Sequence, residues 1–215
     1  MHPPGSVDFN SDARRWSLRR GLLEATVRGQ SDCVLALTYG AARLERCSIY
    51  EPLLGGALFS AQEMIARGPS VRLTAFAPSP QPAATPTDLD DPKQSVFILR
   101  EITDALELHY KSLSGLPMGS VLFALDFAPG GVWETPDGAV RALPGQVLHL
   151  KEDRGRMRYG RDCVQLELGP KKEGQRRLRD APAAAEFVRV LIAFETPADE
   201  SMKLRTYQES TQRWR

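Results

Sequence analysis

Residues Ser95–Leu113 read SVFILREITDALELHYKSL, and the assignment of this stretch decides the fold. Ile98, Ile102, Ala105, Leu106, His109 and Leu113 recur at three- and four-residue intervals, the spacing that lines one face of an α-helix. The residues just before it strengthen the reading. Asp91 can cap the open amides of a first turn, and Pro92 stands where a helix needs no amide hydrogen. The spacing therefore predicts a long amphipathic helix near the centre of the chain.

Upstream, PSPQPAATPTDLDDPKQ (Pro78–Gln94) carries five prolines and no apolar period. It reads as a connector or long surface loop and as a candidate internal boundary. SVRLTAFAP (Ser70–Pro78) and SDCVLALTYG (Ser31–Gly40) read as strands, while Ala42–Tyr50 fits either a strand or a short helix. Leu53–Gly68 reads as a helix closed by its glycine. Ser11 or Asp12 can cap another helix running to about Arg28, with Leu18, Leu22 and Ala25 on one face. Met1–Asn10 holds two prolines and a glycine, so it is expected as an extended arm.

Downstream the texture changes. Val121, Phe123, Leu125 and Phe127 alternate, and Pro136-Asp137-Gly138 is a turn in which proline presets φ and glycine accepts a positive one. QVLHL, RMRY, CVQLEL and FVRVLIAFE supply further strands. In CVQLEL, Val164, Leu166 and Leu168 face one way, Gln165 and Glu167 the other. The tail from Ala198 reads as a polar helix. The expected fold is α+β, with an antiparallel sheet or sandwich in the C-terminal half and helices packed on one face. The expected organisation is an arm over 1–10, a single domain over 11–199 and a polar tail or helix over 200–215.

The bulk numbers exclude several classes. A formal charge of +1 gives no global pull toward nucleic acid or anionic membrane, so any such attraction is local. Three cysteines, an odd number with no CxxC pair, argue for a reducing compartment, and a cytoplasmic location is expected. The first thirty residues mix arginines with Asp8 and Asp12 and hold no long apolar run, so no signal peptide is expected. Pro52–Phe59 is too short an apolar run to cross a bilayer, and no membrane association is expected. Only three histidines are present, and Asp88, Asp90 and Asp91 lack the rest of a calcium loop, so neither metal nor cofactor is expected.

Local charge is concentrated in Lys151–Asp180. Ten of its thirty residues are Lys or Arg and six are Asp or Glu, which leaves it at +4 and the remainder of the chain at −3. On a strand, Arg154, Arg156 and Arg158 share one face, with Tyr159 and Arg161 beside them. Lys171, Lys172, Arg176, Arg177 and Arg179 follow on a loop. Such a row can track an anionic partner, either a nucleic-acid backbone or an acidic protein surface. An exposed hairpin also uses arginine simply for solubility and edge protection.

Asp126 lies among apolar neighbours, where a carboxylate could act as a general base, and His149 or His109 could pair with it. Nothing in the spacing demands that chemistry, so no catalytic residue is assigned and enzymatic activity is not expected. The function expected is that of a non-enzymatic binding or assembly subunit, with a protein partner or a second copy of the chain. The alternatives are a nucleic-acid-binding protein that uses the basic hairpin and a small α+β enzyme with an Asp/His acid–base pair.

Overall fold

The structure, a computed structural model, describes residues 6–29, 34–51, 57–77, 93–103, 105–112, 121–169, 185–194 and 199–209. Those residues form eighteen β-strands and no helix. In chain order they are β1 (Ser6–Asn10), β2 (Arg15–Arg20), β3 (Leu23–Arg28), β4 (Leu35–Tyr39), β5 (Ala42–Glu51), β6 (Ala57–Leu58), β7 (Glu63–Arg67), β8 (Ser70–Ala77) and β9 (Lys93–Ile102). There follow β10 (Ala105–Ser112), β11 (Val121–Phe127), β12 (Val132–Thr135), β13 (Gly138–Arg141), β14 (Val147–His149), β15 (Arg154–Tyr159), β16 (Asp162–Leu168), β17 (Val188–Phe194) and β18 (Asp199–Gln208). The α+β expectation, with helices on one face of a sheet, is overturned: the protein is all-β.

The stretch quoted first is a hairpin. β9 and β10 pair antiparallel from Ile102 opposite Ala105 to Ser95 opposite Ser112. Each strand buries alternate residues, Phe97 and Leu99 on one and Leu106, Leu108 and Tyr110 on the other, all at 0–1% exposure. The apparent helical row was an artefact of phase. Two rows of period two, interrupted by a turn, place apolar residues at mixed spacings of three and four. Ile98, Ile102 and His109, taken as the buried helix face, are only partly buried.

The same correction applies elsewhere. The helix expected from Ser11 or Asp12 to Arg28 is the hairpin β2–β3. Trp16, Leu18, Ala25 and Val27 point to the core, and Leu22 stands exposed in a turn that Gly21 allows by its φ of 57°. Within Leu53–Gly68 the described residues form β6 and β7 instead of a helix, and Gly68 makes the turn to β8. Ala42–Tyr50 is strand. The expected tail helix is β18, whose Met202 and Leu204 alternate into the core. The proline-rich segment is outside the described residues up to Pro92.

Two sheets result. The first runs β1-β2-β3-β4-β5-β11-β17-β14, with β6 beside β5. The second runs β13-β12-β15-β16-β18-β10-β9-β8-β7. Every pairing is antiparallel except β14 with β17. One apolar cluster joins both sheets, from Trp16, Leu37 and Phe127 on the first to Phe97, Leu108 and Leu166 on the second. Tyr110 meets Phe123 edge-on, with ring centroids 6.1 Å apart, a geometry that suits the ring quadrupoles. Polar ties cross between the sheets as well. Trp16 Nε1 donates to the Gly68 carbonyl at 3.1 Å, and the Ala41 amide donates to Asp162 Oδ2 at 2.7 Å.

β11 and β17 are buried on both faces. Their second face carries a smaller cluster, Leu122, Ala124, Leu191 and Ala193, with Tyr50 and Val147 against it. No helix among the described residues is long and apolar enough to cross a membrane.

Candidate functional site

β15 alternates Arg154, Arg156 and Arg158 with Gly155, Met157 and Tyr159. Met157 is in the core, so the arginines share the outer face of the second sheet. Register sets Glu134 of β12 opposite Arg156 and brings Cys163 of β16 opposite Arg158, with Tyr207 of β18 beyond it. A closed network follows. Glu134 bonds the Nε of Arg156 through one oxygen and accepts from Arg158 Nη2 at 2.8 Å and Nε at 3.0 Å through the other. Arg156 Nη1 lies 3.0 Å from Glu209 Oε1 and donates to the Tyr207 hydroxyl at 3.1 Å; Arg158 Nε lies 3.7 Å from Glu209 Oε2. Two guanidiniums thus face two carboxylates, and their formal charges cancel.

Burial sharpens this. Arg156 is only 6% exposed, although it lies on the outer face. Burial alone would push the Glu134 carboxyl up, but the hydrogen bonds from Arg158 and Arg156 outweigh it and hold the group below the usual carboxylate range. The Cys163 thiol beneath is pushed up to about 11, chiefly by burial, which favours its protonated form near neutrality. An open cleft of 560 Å³ lies beside the network, lined by Glu134, Arg156, Arg158 and Glu209 and by the β12–β13 turn at Thr135, Pro136, Gly138 and Ala139.

Tyr159 takes no part. It faces inward and donates its hydroxyl to the Ala128 carbonyl, so the aromatic expected to stack beside the arginines is on the wrong side of the strand. Arg161 is exposed in the turn to β16. Lys171, Lys172, Arg176, Arg177 and Arg179 lie outside the described residues.

Asp126 sits on the second face of the first sheet at 1% exposure. Register places Arg46 of β5 on one side and Arg189 of β17 on the other. Arg189 grips both carboxylate oxygens, Nε to Oδ1 at 2.7 Å and Nη2 to Oδ2 at 2.9 Å, while Arg46 adds Nη2 to Oδ2 at 3.0 Å. Arg46 also lies over the Phe187 ring, 5.2 Å from its centroid. The hydrogen bonds that Arg189 donates to Asp126 raise the Arg189 pKa further. The Asp126 carboxylate is thus engaged by two guanidiniums at once.

His149 shares the face of Asp126 but lies two strands across and two residues along from it, so the two are roughly 12 Å apart. His109 belongs to the second sheet. Neither histidine is brought to Asp126. Cys47 and Cys163 are buried free thiols, and no metal-holding group of His, Cys, Asp or Glu occurs among the described residues.

Sequence reading missed the residues that engage these candidates: Glu134, Glu209, Tyr207, Arg46 and Arg189. One signal was available. Asp126 in VLFALDF and Arg189 in VRVLIAF are each a lone charge in an apolar strand, and lone buried charges require partners.

A third feature lies at the margin of the first sheet. Ala25, Leu18 and Val7 form one inward row across β3, β2 and β1, and Val27, Trp16 and Phe9 form another. The β2 and β3 members are at most 1% exposed, whereas Val7 and Phe9 are each 39% exposed. The core rows therefore run into the open on β1, which pairs on its other side with no described residue.

No protein-family model matches the chain, and no curated protein is similar to it at the threshold applied. Among solved structures, the crystal structure of HI1317 is similar with a TM-score of 0.52 at 7% sequence identity, over 95% of this chain and 100% of that one. At that identity the likeness concerns the fold alone.

Proposed function

We propose that the chain is a non-enzymatic binding or assembly subunit of a larger macromolecular complex. The observation that carries the reading is where its apolar side chains stand open. Val7 and Phe9 lie on β1, an edge strand of the first sheet, and Val140 and Leu143, 41% and 54% exposed, lie at and just beyond β13, an edge strand of the second sheet. Sheet margins with exposed apolar rows pair with other chains unless they are covered. The candidate groups Asp126, Arg156 and Arg158, by contrast, are engaged within the chain. Asp126 is clamped by Arg46 and Arg189, and Arg156 and Arg158 are matched by Glu134 and Glu209.

This pairing weighs against the two alternatives. Arginines already bound to carboxylates release few counterions to a nucleic-acid backbone, and of the described row only Arg154 and Arg161 are exposed. An acid–base mechanism needs Asp126 near a histidine, and the geometry separates them. Sedimentation of a native extract tests the assembly reading. The chain is expected in species larger than its own 23.8 kDa, and recovery solely at single-chain size would overturn it.

A further inference from the structure

We infer that β1 is a self-complementary edge that joins two copies of this chain antiparallel across a two-fold axis, continuing the first sheet from one protomer into its partner. The inference rests on the assembly reading and names the partner. Three observations converge on it.

The first is the interrupted core. The inward rows Ala25–Leu18–Val7 and Val27–Trp16–Phe9 are fully covered until they reach β1. A strand laid beside β1 with inward apolar residues completes both rows.

The second is the sequence of the strand itself, Ser6-Val7-Asp8-Phe9-Asn10. In a two-fold antiparallel pair centred on Asp8, Val7 lies opposite Phe9 of the other copy, and Phe9 opposite its Val7. Aromatic against β-branched is a favourable cross-strand pair, and it occurs twice. Ser6 then meets Asn10, so every inward pair is apolar and every outward pair polar.

The third is charge. The centred register sets the two Asp8 carboxylates against each other on the outward face, which by itself is unfavourable. Each Asp8, however, stands opposite Ser17, with Arg15 and Arg19 two places to either side on β2. Two arginines of each copy therefore flank its Asp8 from the neighbouring strand, Arg19 being shared with Glu24 at 3.3 Å. β1 also lacks the usual edge protection, having no lysine, no proline and no bulge. Among the described strands, the other ends of the two strand orders are guarded or short: β7 carries Glu63 and Arg67 on either side of its exposed Ile65, β13 has four residues and β14 three.

Light scattering on the purified full chain, together with register-specific cross-linking, tests the proposal. The wild type is expected at twice the single-chain mass of 23.8 kDa, and Phe9→Lys at the single-chain mass with an unchanged far-ultraviolet circular dichroism spectrum. In the centred register residue 8 meets its own copy at about 4.5–5.5 Å between Cα atoms, within the range a disulfide spans. Asp8→Cys is therefore expected to form an intermolecular disulfide under mild oxidation, and Val7→Cys, which faces residue 9, only a background level. A single-chain mass for the wild type, a dimer indifferent to Phe9→Lys, or equal cross-linking at both positions would overturn it. A single chain when pure but a larger species in native extract would sink the self-pairing and leave the assembly reading standing. A single chain in both would sink both.

Discussion

Asp126 and Glu134 are each a carboxylate held by two arginines, yet their surroundings give them different consequences. Asp126 is 1% exposed and its main partner, the Arg189 side chain, 7%. Removing one member of such a pair leaves the other charge buried without compensation, which costs about 3–5 kcal/mol. Asp126→Ala should lower the unfolding free energy by that order in urea titration. The double change Asp126→Leu with Arg189→Met, which removes both charges, should restore most of it. Equal losses in the single and double variants would refute the account.

Glu134 supplies a pH dependence. Its folded carboxyl titrates below the usual range, so its contribution is complete above the ordinary carboxylate value and is lost as pH falls toward the depressed one. Glu134→Gln should therefore melt well below wild type near neutrality, and the gap should narrow as the solution is acidified below pH ~4. A gap independent of pH would place the effect in packing instead.

At the scale of elements, legibility followed burial. Strands with one wet face declared themselves: Val164, Leu166 and Leu168 face inward and Gln165 and Glu167 outward, as the alternation in CVQLEL says. Val121–Phe127 was legible from the alternation of Val121, Phe123, Leu125 and Phe127 alone, although both of its faces are buried. The hairpins were not. In β9–β10 and β2–β3 two short alternating rows meet at a tight turn with no Asn-Gly or Pro-Gly to mark it, and across that turn period two counterfeits the helical period. β18 misled differently. Its residues DESMKLRTYQ are mostly good helix formers, and tertiary pairing on both sides overrides that preference. The candidate site was half legible. That Arg154, Arg156 and Arg158 share a face follows from strand parity, but Glu134 on β12 and Glu209 just beyond β18 reach them from segments distant in sequence, and no local pattern encodes register.

At the scale of the molecule, the two sheets are ordered quite differently along the chain. Most of the first is built of sequential neighbours from β1 to β5. The second places β18, the last of the described strands, between β16 and β10. On one side of it lie β7 to β10, on the other β12, β13, β15 and β16. Without it those two groups share no strand-to-strand hydrogen bonds. Deletion from Asp199 onward should therefore abolish the cooperative thermal transition, although it removes less than a tenth of the chain. A truncated protein that still melts sharply would contradict this. In a nascent polypeptide the consequence is a delay. Both halves of that sheet must wait, edges bare, until the final keystone strand has cleared the ribosomal tunnel, and through that interval chaperone capture or aggregation competes with folding.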